Sequence, residues 1–318
     1  MKPLVSVLTI TYNHAPYIRR CIESILMQKT TFPFELVIGE DCSTDGTREI
    51  VLDYAKNYPD VIRIITSETN VGENANERRT GLACQGEFIA ICEGDDYWID
   101  PLKLQKQYDA IKKYDATLVT HGDISLIYKG SKIIRSDVTF AQDESGYLDI
   151  EDIILKNKNF ATSSFFFPSN IYKSLPDWFH KAPIHDVPLK LILASLGKVY
   201  FINEIMSVWQ RGVPGSWTER KDTQDVIWQN NFQKTYLEMY VGFDQFTESR
   251  YTKVIKRRIH SRLGYYYTKY GNLDFLEISE RKKKTIRMIA AISRIAPGRL
   301  RYKITRKIVE KITPALFG

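Results

Sequence analysis

Three carboxylates fall within four residues at Glu93-Gly94-Asp95-Asp96, directly after the apolar run Phe88-Ile89-Ala90-Ile91-Cys92. Like charges this close repel one another unless a positive group sits among them. Hard divalent cations take oxygen ligands, keep several waters and often bridge to substrate phosphates. The cluster therefore predicts a metal and a phosphate-bearing ligand near residue 95. Asn13, Asp41 and Asp186 are further polar residues placed next to apolar or helical runs, and each also suits a turn or helix cap.

The elements that must position these groups follow from the hydrophobic pattern. Leu4 to Ile10, Glu35 to Gly39, Val61 to Ile65 and Phe88 to Cys92 read as buried strands. Between and after them lie helical patterns from Pro16 to Gln28, around Ile50, Val51 and Tyr54 with Ser43 or Thr44 as cap, from Glu73 to Cys84, and from Pro101 to Tyr114. Four alternations of strand and helix predict an α/β fold, a mostly parallel sheet flanked by helices. Ligands of such sheets bind beyond the carboxyl ends of the strands. Asn13, Asp41 and Asp95 all follow predicted strand ends, so one crevice could hold all three.

Residues 117–170 read as short β-like runs with a polar loop, Asp186 to Leu196 as a helix, Val199 to Trp209 as extended, and residues from Asp222 onward as mainly helical. The 318 residues are 43% hydrophobic and 12% aromatic, which fits a packed globular chain and not a disordered one. Cysteines 21, 42, 84 and 92 form no CxxC pair and predict reduced thiols in the cytoplasm. The first residues are too polar for a signal-peptide core, and no apolar run is long enough to span a bilayer. Charge is uneven: residues 250–318 hold 19 Lys/Arg against 4 Asp/Glu, within a chain of net charge +7. In that segment Lys282-Lys283-Lys284 precedes isoleucines at helical spacing, a basic amphipathic pattern. It predicts contact with the anionic inner face of the cell membrane, or packing on the body or on a second copy as a homo-oligomer. No nucleic-acid-binding module is recognisable, so no nucleic-acid partner is expected.

With its motifs in order, the chain resembles the family 2 glycosyltransferases of GT-A fold, in particular bacterial enzymes of surface-polysaccharide synthesis. The segments that carry the resemblance are VSVLTITYNHAPYIRRCIESILMQ, ELVIGEDCSTDGT, NVGENANERRTGLACQGEFIAICEGDDYW and IHDVPLKLILASLGKVYFINEIMSVW, across roughly residues 3–218. The resemblance implies a GT-A domain over residues 1–220 and a helical, basic C-terminal region over 221–318. It also implies roles. Thr11, Tyr12 and Asn13 would hold the nucleotide, and Asp41 would bond the uracil edge. Arg78 or Arg79 would approach the nucleotide. Glu93-Gly94-Asp95-Asp96 matches the DXD motif: Asp96 would bind Mn²⁺ or Mg²⁺, Asp95 the ribose or the same metal, and Glu93 would stand behind them. Asp186 would be the catalytic base, with His185 beside it. Gly212 stands where relatives often carry a metal-side His, which leaves Arg211 to neutralise the departing diphosphate.

The implied reaction is inverting transfer from a nucleotide sugar, a UDP-sugar by the resemblance, to a hydroxyl of a lipid-linked glycan. A nucleotidyltransferase is the competing enzyme class; it would carry a Gly-rich basic loop after the first strand, where this chain has Thr-Tyr-Asn-His. A nucleotide-sugar-binding subunit without catalysis is the non-enzymatic alternative.

Overall fold

The computed structural model describes residues 2–129, 132–139, 141–156, 160–214, 216 and 224–270. The basic amphipathic pattern at 282–316 lies outside these. By contacts the chain divides into two compact units, each described here by itself. The first, a sheet unit, comprises Met1–Ile150, Lys158–Pro176 and Ile192–Thr223; the second, a helical unit, comprises Glu151–Asn157, Asp177–Leu191 and Gln224–Gly318.

In the sheet unit, strands β1 (Val5–Thr11), β2 (Phe34–Glu40), β3 (Ile62–Thr66) and β4 (Phe88–Ile91) follow one another with helices between. These are α1 (Ala15–Leu26), α2 (Thr47–Asn57) and α3 (Glu73–Ala83). The four strands pair in parallel, with β1 between β2 and β4, as the alternation predicts. Val5, Val7, Leu8, Leu36, Val37 and Ile38 are wholly buried, which is why their runs are rich in apolar residues on both faces, broken only by buried polar groups such as Ser6, Thr9 and Glu35. Each such apolar side chain contributes about 1.5–3 kcal/mol by leaving water.

The second half of the sheet departs from the alternation. After β5 (Tyr97–Trp98) and α4 (Lys103–Tyr114) comes a single 14-residue strand, β6 (Ala116–Lys129), where short runs were expected. Its polar residues His121, Asp123 and Ser125 break the apolar pattern yet are buried. β7 (Lys132–Thr139) folds back on β6 as an antiparallel partner. β8 (Gly146–Leu148), β9 (Phe166–Pro168) and β10 (Lys198–Arg211) complete the sheet, in the order β3-β2-β1-β4-β9-β6-β10-β5. β9 is antiparallel to both β4 and β6, so it joins a parallel half to a mixed one.

One expected cap is corrected. Neither Ser43 nor Thr44 caps α2; the N-cap is Gly46, at φ +96°. Ser43 Oγ instead accepts from Asn13 N at 3.0 Å, and Asp45 accepts from Thr47 N at 3.0 Å.

In the helical unit, α5 (Ile150–Lys156), apart from Ile150, joins α7 (Asp177–His180). The short helix α6 (Ser169–Lys173) belongs to the sheet unit, and α8 (Asp186–Leu196) begins in the helical one. The long helices α9 (Val226–Phe246) and α10 (Thr252–Tyr270) pack together. Asp225 caps α9 by accepting from Trp228 N at 2.8 Å, and Arg262 of α10 lies 3.3 Å over the Tyr236 ring. Among the described residues no helix is long and apolar enough to cross a membrane.

Candidate active site

Thr11, at the end of β1, is the meeting point of three loops. Its carbonyl accepts from Asp41 N at 3.1 Å, which fixes the end of β2 beside it. Gly94 N donates to Ile10 O at 3.0 Å, which brings the acidic turn against it. Gly94 has to be glycine for this approach: a Cβ would lie 2.8 Å from Ile10 O and 2.9 Å from Thr11 Cβ.

Asn13 occupies the left-handed region at φ +55°, which asparagine tolerates better than most residues. Its N–H donates to Ser43 Oγ, and its Oδ1 accepts from Thr44 N at 2.9 Å. The Thr11-Tyr12-Asn13 segment is thereby latched to the loop after β2.

Asp41 is buried, and its carboxylate is met by three donors. Val71 N reaches Oδ1 at 2.9 Å, Gly72 N reaches Oδ2 at 3.0 Å, and Arg79 Nη2 reaches Oδ1 at 3.3 Å. Arg79 also donates to Glu40 O at 3.0 Å and, through Nε, to Asn76 Oδ1 at 2.9 Å. Of the two arginines singled out from the sequence, Arg79 turns inward to Asp41, and Arg78 is exposed.

The acidic turn is organised from β10. Gln210 N donates to Asp96 Oδ1 at 2.9 Å, its side-chain amide donates to Asp95 O, and its Oε1 accepts from Tyr128 OH at 2.9 Å. Burial, then Asp95, pushes the Asp96 carboxyl well above the usual carboxylate range, against the pull of the Gln210 hydrogen bond. Glu93 is pushed up as well, by burial and then by Glu77, Asp95, Glu73 and Asp96 around it. Among the described residues, the turn is thus an acidic locus with no cation paired to its carboxylates. Among the described residues no cluster of three or more His, Cys, Asp or Glu side chains is arranged to hold a metal by itself. Asp95 and Asp96 fit a divalent cation that takes one or two carboxylates and completes its shell with phosphate oxygens and water.

Arg211, at the end of β10, is half-buried, with its guanidinium carbon 4.6 Å over the Trp209 ring and its Nε without a partner. Gly212 follows at φ +73°, a conformation in which histidine would be strained, and a Cβ there would lie 3.1 Å from Tyr128 O. The departure from the family pattern is therefore built into the backbone.

Thr11, Tyr12, Asn13, Asp41, Arg79, Asp95, Asp96 and Arg211 all lie at strand ends or on the flanking helix of the sheet unit. Asp186 lies in the helical unit. It is half-buried, the first residue of α8, one turn before the buried Lys190. Burial pulls Lys190 down to about 8, with Asp186 opposing that shift. His185 stacks on Phe179 with ring centroids 4.5 Å apart.

Two residues close to the acidic turn were not among the sequence candidates. Gln210 is one; Asp123, in the middle of β6, is the other. Asp123 is buried and pushed up to about 6, by burial first, with the Ala161 N–H and Arg211 acting the other way. The available signal was a carboxylate inside the β-like run Leu118 to Leu126.

Acidic loops beyond the carboxyl ends of parallel strands make a ligand crevice of the α/β type. The profile of Glycosyl transferase family 2 matches residues 6–165, about half of the chain. An uncharacterised Mycobacterium tuberculosis protein, Rv1520, is 33% identical over 230 residues, 71% of this chain and 64% of that protein. The chain thus spans less than two thirds of that relative's length. A putative teichuronic acid biosynthesis glycosyltransferase of Bacillus subtilis, TuaG, is 38% identical over 34% of this chain and 42% of its own. The chain belongs to glycosyl transferase family 2. Among solved structures, Staphylococcus aureus TarS 1–349 in complex with UDP-GlcNAc superposes with a TM-score of 0.62 at 15% identity, over 98% of this chain and 90% of that one. The Pyrobaculum calidifontis mannosyltransferase PcManGT with GDP-Man and Mn²⁺ gives 0.52 at 15%, over 100% and 87%. These likenesses show the GT-A fold.

Proposed function

We propose that the enzyme transfers a sugar, with inversion, from a UDP-sugar to a hydroxyl of a lipid-linked glycan during surface-polysaccharide synthesis. The observation that carries this reading is the convergence on Thr11 of the Asp41 pocket and the Asp95–Asp96 turn. The first is compensated by Arg79 and two backbone N–H groups; the second has no paired cation among the described residues. A nucleoside diphosphate with a divalent cation has the matching chemistry: a base edge to hydrogen-bond and a charge to neutralise.

In this reading Thr11, Tyr12 and Asn13 line the nucleotide, and Asp41, held by Arg79, accepts from the N–H of the uracil edge. Asp96, with Asp95, holds Mn²⁺ or Mg²⁺, which when bound supplies Lewis-acid stabilisation to the departing diphosphate. Arg211 adds a second positive group there. Asp186 takes the proton of the acceptor hydroxyl as general base, with His185 and Lys190 fixing its surroundings. One base and direct displacement invert the anomeric centre. A relative named for teichuronic acid biosynthesis, TuaG, supports the polysaccharide reading. The basic sequence after residue 250 supports a place on the cytoplasmic membrane face.

The test is nucleotide release from UDP-, GDP- and dTDP-sugars, with Mn²⁺ or Mg²⁺, in the presence of membrane extract. UDP release that falls at least about a hundredfold in Asp96→Ala and in Asp186→Asn is expected. Full turnover in Asp96→Ala would remove the metal assignment, and release of pyrophosphate would turn the reading to nucleotidyl transfer.

A further inference from the structure

β6 presents His121, Asp123 and Ser125 at alternate positions, hence on one face of the sheet. All three are at most 2% exposed. β10 runs parallel alongside, with Ser207 opposite Asp123, Trp209 opposite Ser125 and Arg211 opposite Ile127. Asp123 Oδ1 receives only a long bond from Ala161 N, at 3.4 Å. Asp123 Oδ2, Ser125 Oγ, His121 Nε2 and Arg211 Nε have no hydrogen-bond partner.

Each buried polar atom left without a partner costs about 1–3 kcal/mol, and native proteins carry few. Four on two adjoining strands call for hydrogen-bonding partners, water or ligand. Their chemistry says which kind. An ionised Asp123 only accepts. His121 holds its Nδ1 against Gly122 O at 2.8 Å, so with the proton there its Nε2 also accepts. Ser125 does either, and Arg211 donates. A phosphate would meet acceptors facing acceptors. A sugar ring, with several O–H donors and ring or hydroxyl oxygens as acceptors, matches the set. The row also borders the acidic turn: Gln210, between Trp209 and Arg211, donates to Asp96, and Asp123 is near enough to Asp96 to act on its charge.

We propose that Asp123 and Ser125, with Arg211 at the open end of the row, bind the hydroxyls of the donor's sugar ring and so determine which nucleotide sugar is accepted. This rests on the glycosyl-transfer reading and names the part of the donor that β6 reads. His121 stands at the inner end of the row.

The experiment is titration calorimetry of the full chain with Mn²⁺. It compares UDP, UDP-glucose, UDP-galactose, UDP-GlcNAc and UDP-GalNAc on the wild type, Asp123→Asn and Ser125→Ala, and repeats with GDP and dTDP sugars if UDP does not bind. The expected result is that both variants hold the bare nucleotide within about twofold of the wild type. The spread of affinity among the sugars should shrink from about tenfold or more to under about threefold. Ser125→Ala should also melt no lower than the wild type without ligand, since it removes an unsatisfied hydroxyl. An unchanged spread among sugars overturns the proposal. So does a lower melting temperature with unchanged discrimination, which makes the row a structural water site only, or a raised acceptor KM with unchanged donor discrimination. Binding discrimination does not depend on turnover. A wild type that discriminates sugars but transfers none would sink the transfer reading and leave the subsite standing.

Discussion

Gly94→Ala puts the geometry of the acidic turn to a direct test. An ordinary contact for a new Cβ begins at about 3.4 Å, whereas here it would stand 2.8 Å from the Ile10 carbonyl oxygen and 2.9 Å from Thr11 Cβ. Two of the three nearest atoms, Ile10 O and Thr11 Cβ, are backbone or bonded directly to it, so neither can swing away. The turn has to retreat by roughly 0.6 Å, the difference between the two contacts. Asp95 and Asp96 are the next two residues and move with it, out of register with the Gln210 N–H. A misplacement of about 1 Å at a reacting group costs around a hundredfold in rate. The expected loss of nucleotide release is therefore about ten- to a hundredfold, with about 1–3 kcal/mol lost in urea unfolding. Gly146→Ala is the control, because its Cβ would meet only the flexible end of Gln142, at 3.2 Å. Gly94→Ala with wild-type turnover and wild-type stability would refute the claim that β1 and the acidic turn are held at contact distance.

Arg79→Met should destabilise the fold by about 1–3 kcal/mol, because Asp41 and the Glu40 carbonyl each lose a donor in a largely buried setting. Nucleotide affinity should fall with it, and Arg79→Lys should not restore it, since one ammonium cannot reproduce a fork that meets Asn76, Glu40 and Asp41; urea unfolding and UDP titration check both. Lys103 is buried, donates to Gln107 Oε1 at 2.6 Å and is pulled down to about 7 by burial, with Cys92 and Asp100 opposing. The unfolded chain keeps that proton up to about pH 10.4, so between about 7 and 10 the unfolded state binds more protons and stability rises with pH. The rise is about 1.4 kcal/mol per unit, on the order of 4 kcal/mol over the window. Lys103→Met should lack that slope and be the more stable protein at pH 7, as urea titrations at pH 7 and pH 9.5 would show. Brief iodoacetamide treatment of the native protein should label Cys42 alone, because Cys21, Cys84 and Cys92 are buried and burial raises the Cys84 thiol to about 12. Peptide mass mapping would detect labelling of any other thiol.

The parallel half of the fold was legible because β1, β2 and β4 bury apolar residues on both faces and α1 buries one face, so apolar runs and 3.6-residue patterns alternate. Asp186–Leu196 was legible as a nearly continuous apolar run, whereas Glu73–Ala83 carries no apolar stripe and buries Asn76, Glu77, Thr80 and Gly81. β6 was not. A strand with His121, Asp123 and Ser125 buried breaks the apolar rule at those positions, and residue pattern alone cannot tell a buried polar row from a loop. Gln210 was illegible for a different reason. Its backbone N–H, which any residue but proline carries, holds Asp96, and only the pairing of β10 with β5 brings it there. The expected caps failed because the turn runs on to Gly46 before α2 begins, while Ser43 Oγ and Thr44 N meet Asn13, some 30 residues away in sequence. Acidic residues after strand ends showed where ligands would gather. They did not show that Asp41 is supplied with its own arginine while Asp96 is not.

That difference separates the two acidic loci by function. Asp41 is satisfied within the fold by Val71, Gly72 and Arg79, so an added cation gains little there. Asp96 has one backbone donor, and its neighbours Asp95 and Glu93 add repulsion, so a cation there relieves an existing strain of charge. Mn²⁺ added with UDP at about a hundred times its dissociation constant should raise unfolding free energy by about 2.7 kcal/mol. Asp96→Ala should lose most of that gain. Asp41→Asn should keep the dependence on Mn²⁺ even where UDP binds more weakly, because the cation does not rest on it. Thermal melting with Mn²⁺ alone, UDP alone and both together separates the two. An equal Mn²⁺-dependent gain in Asp96→Ala and wild type would mean that the cation sits elsewhere and that the acidic turn is neutralised by protonation, as the raised carboxyls of Asp96 and Glu93 allow.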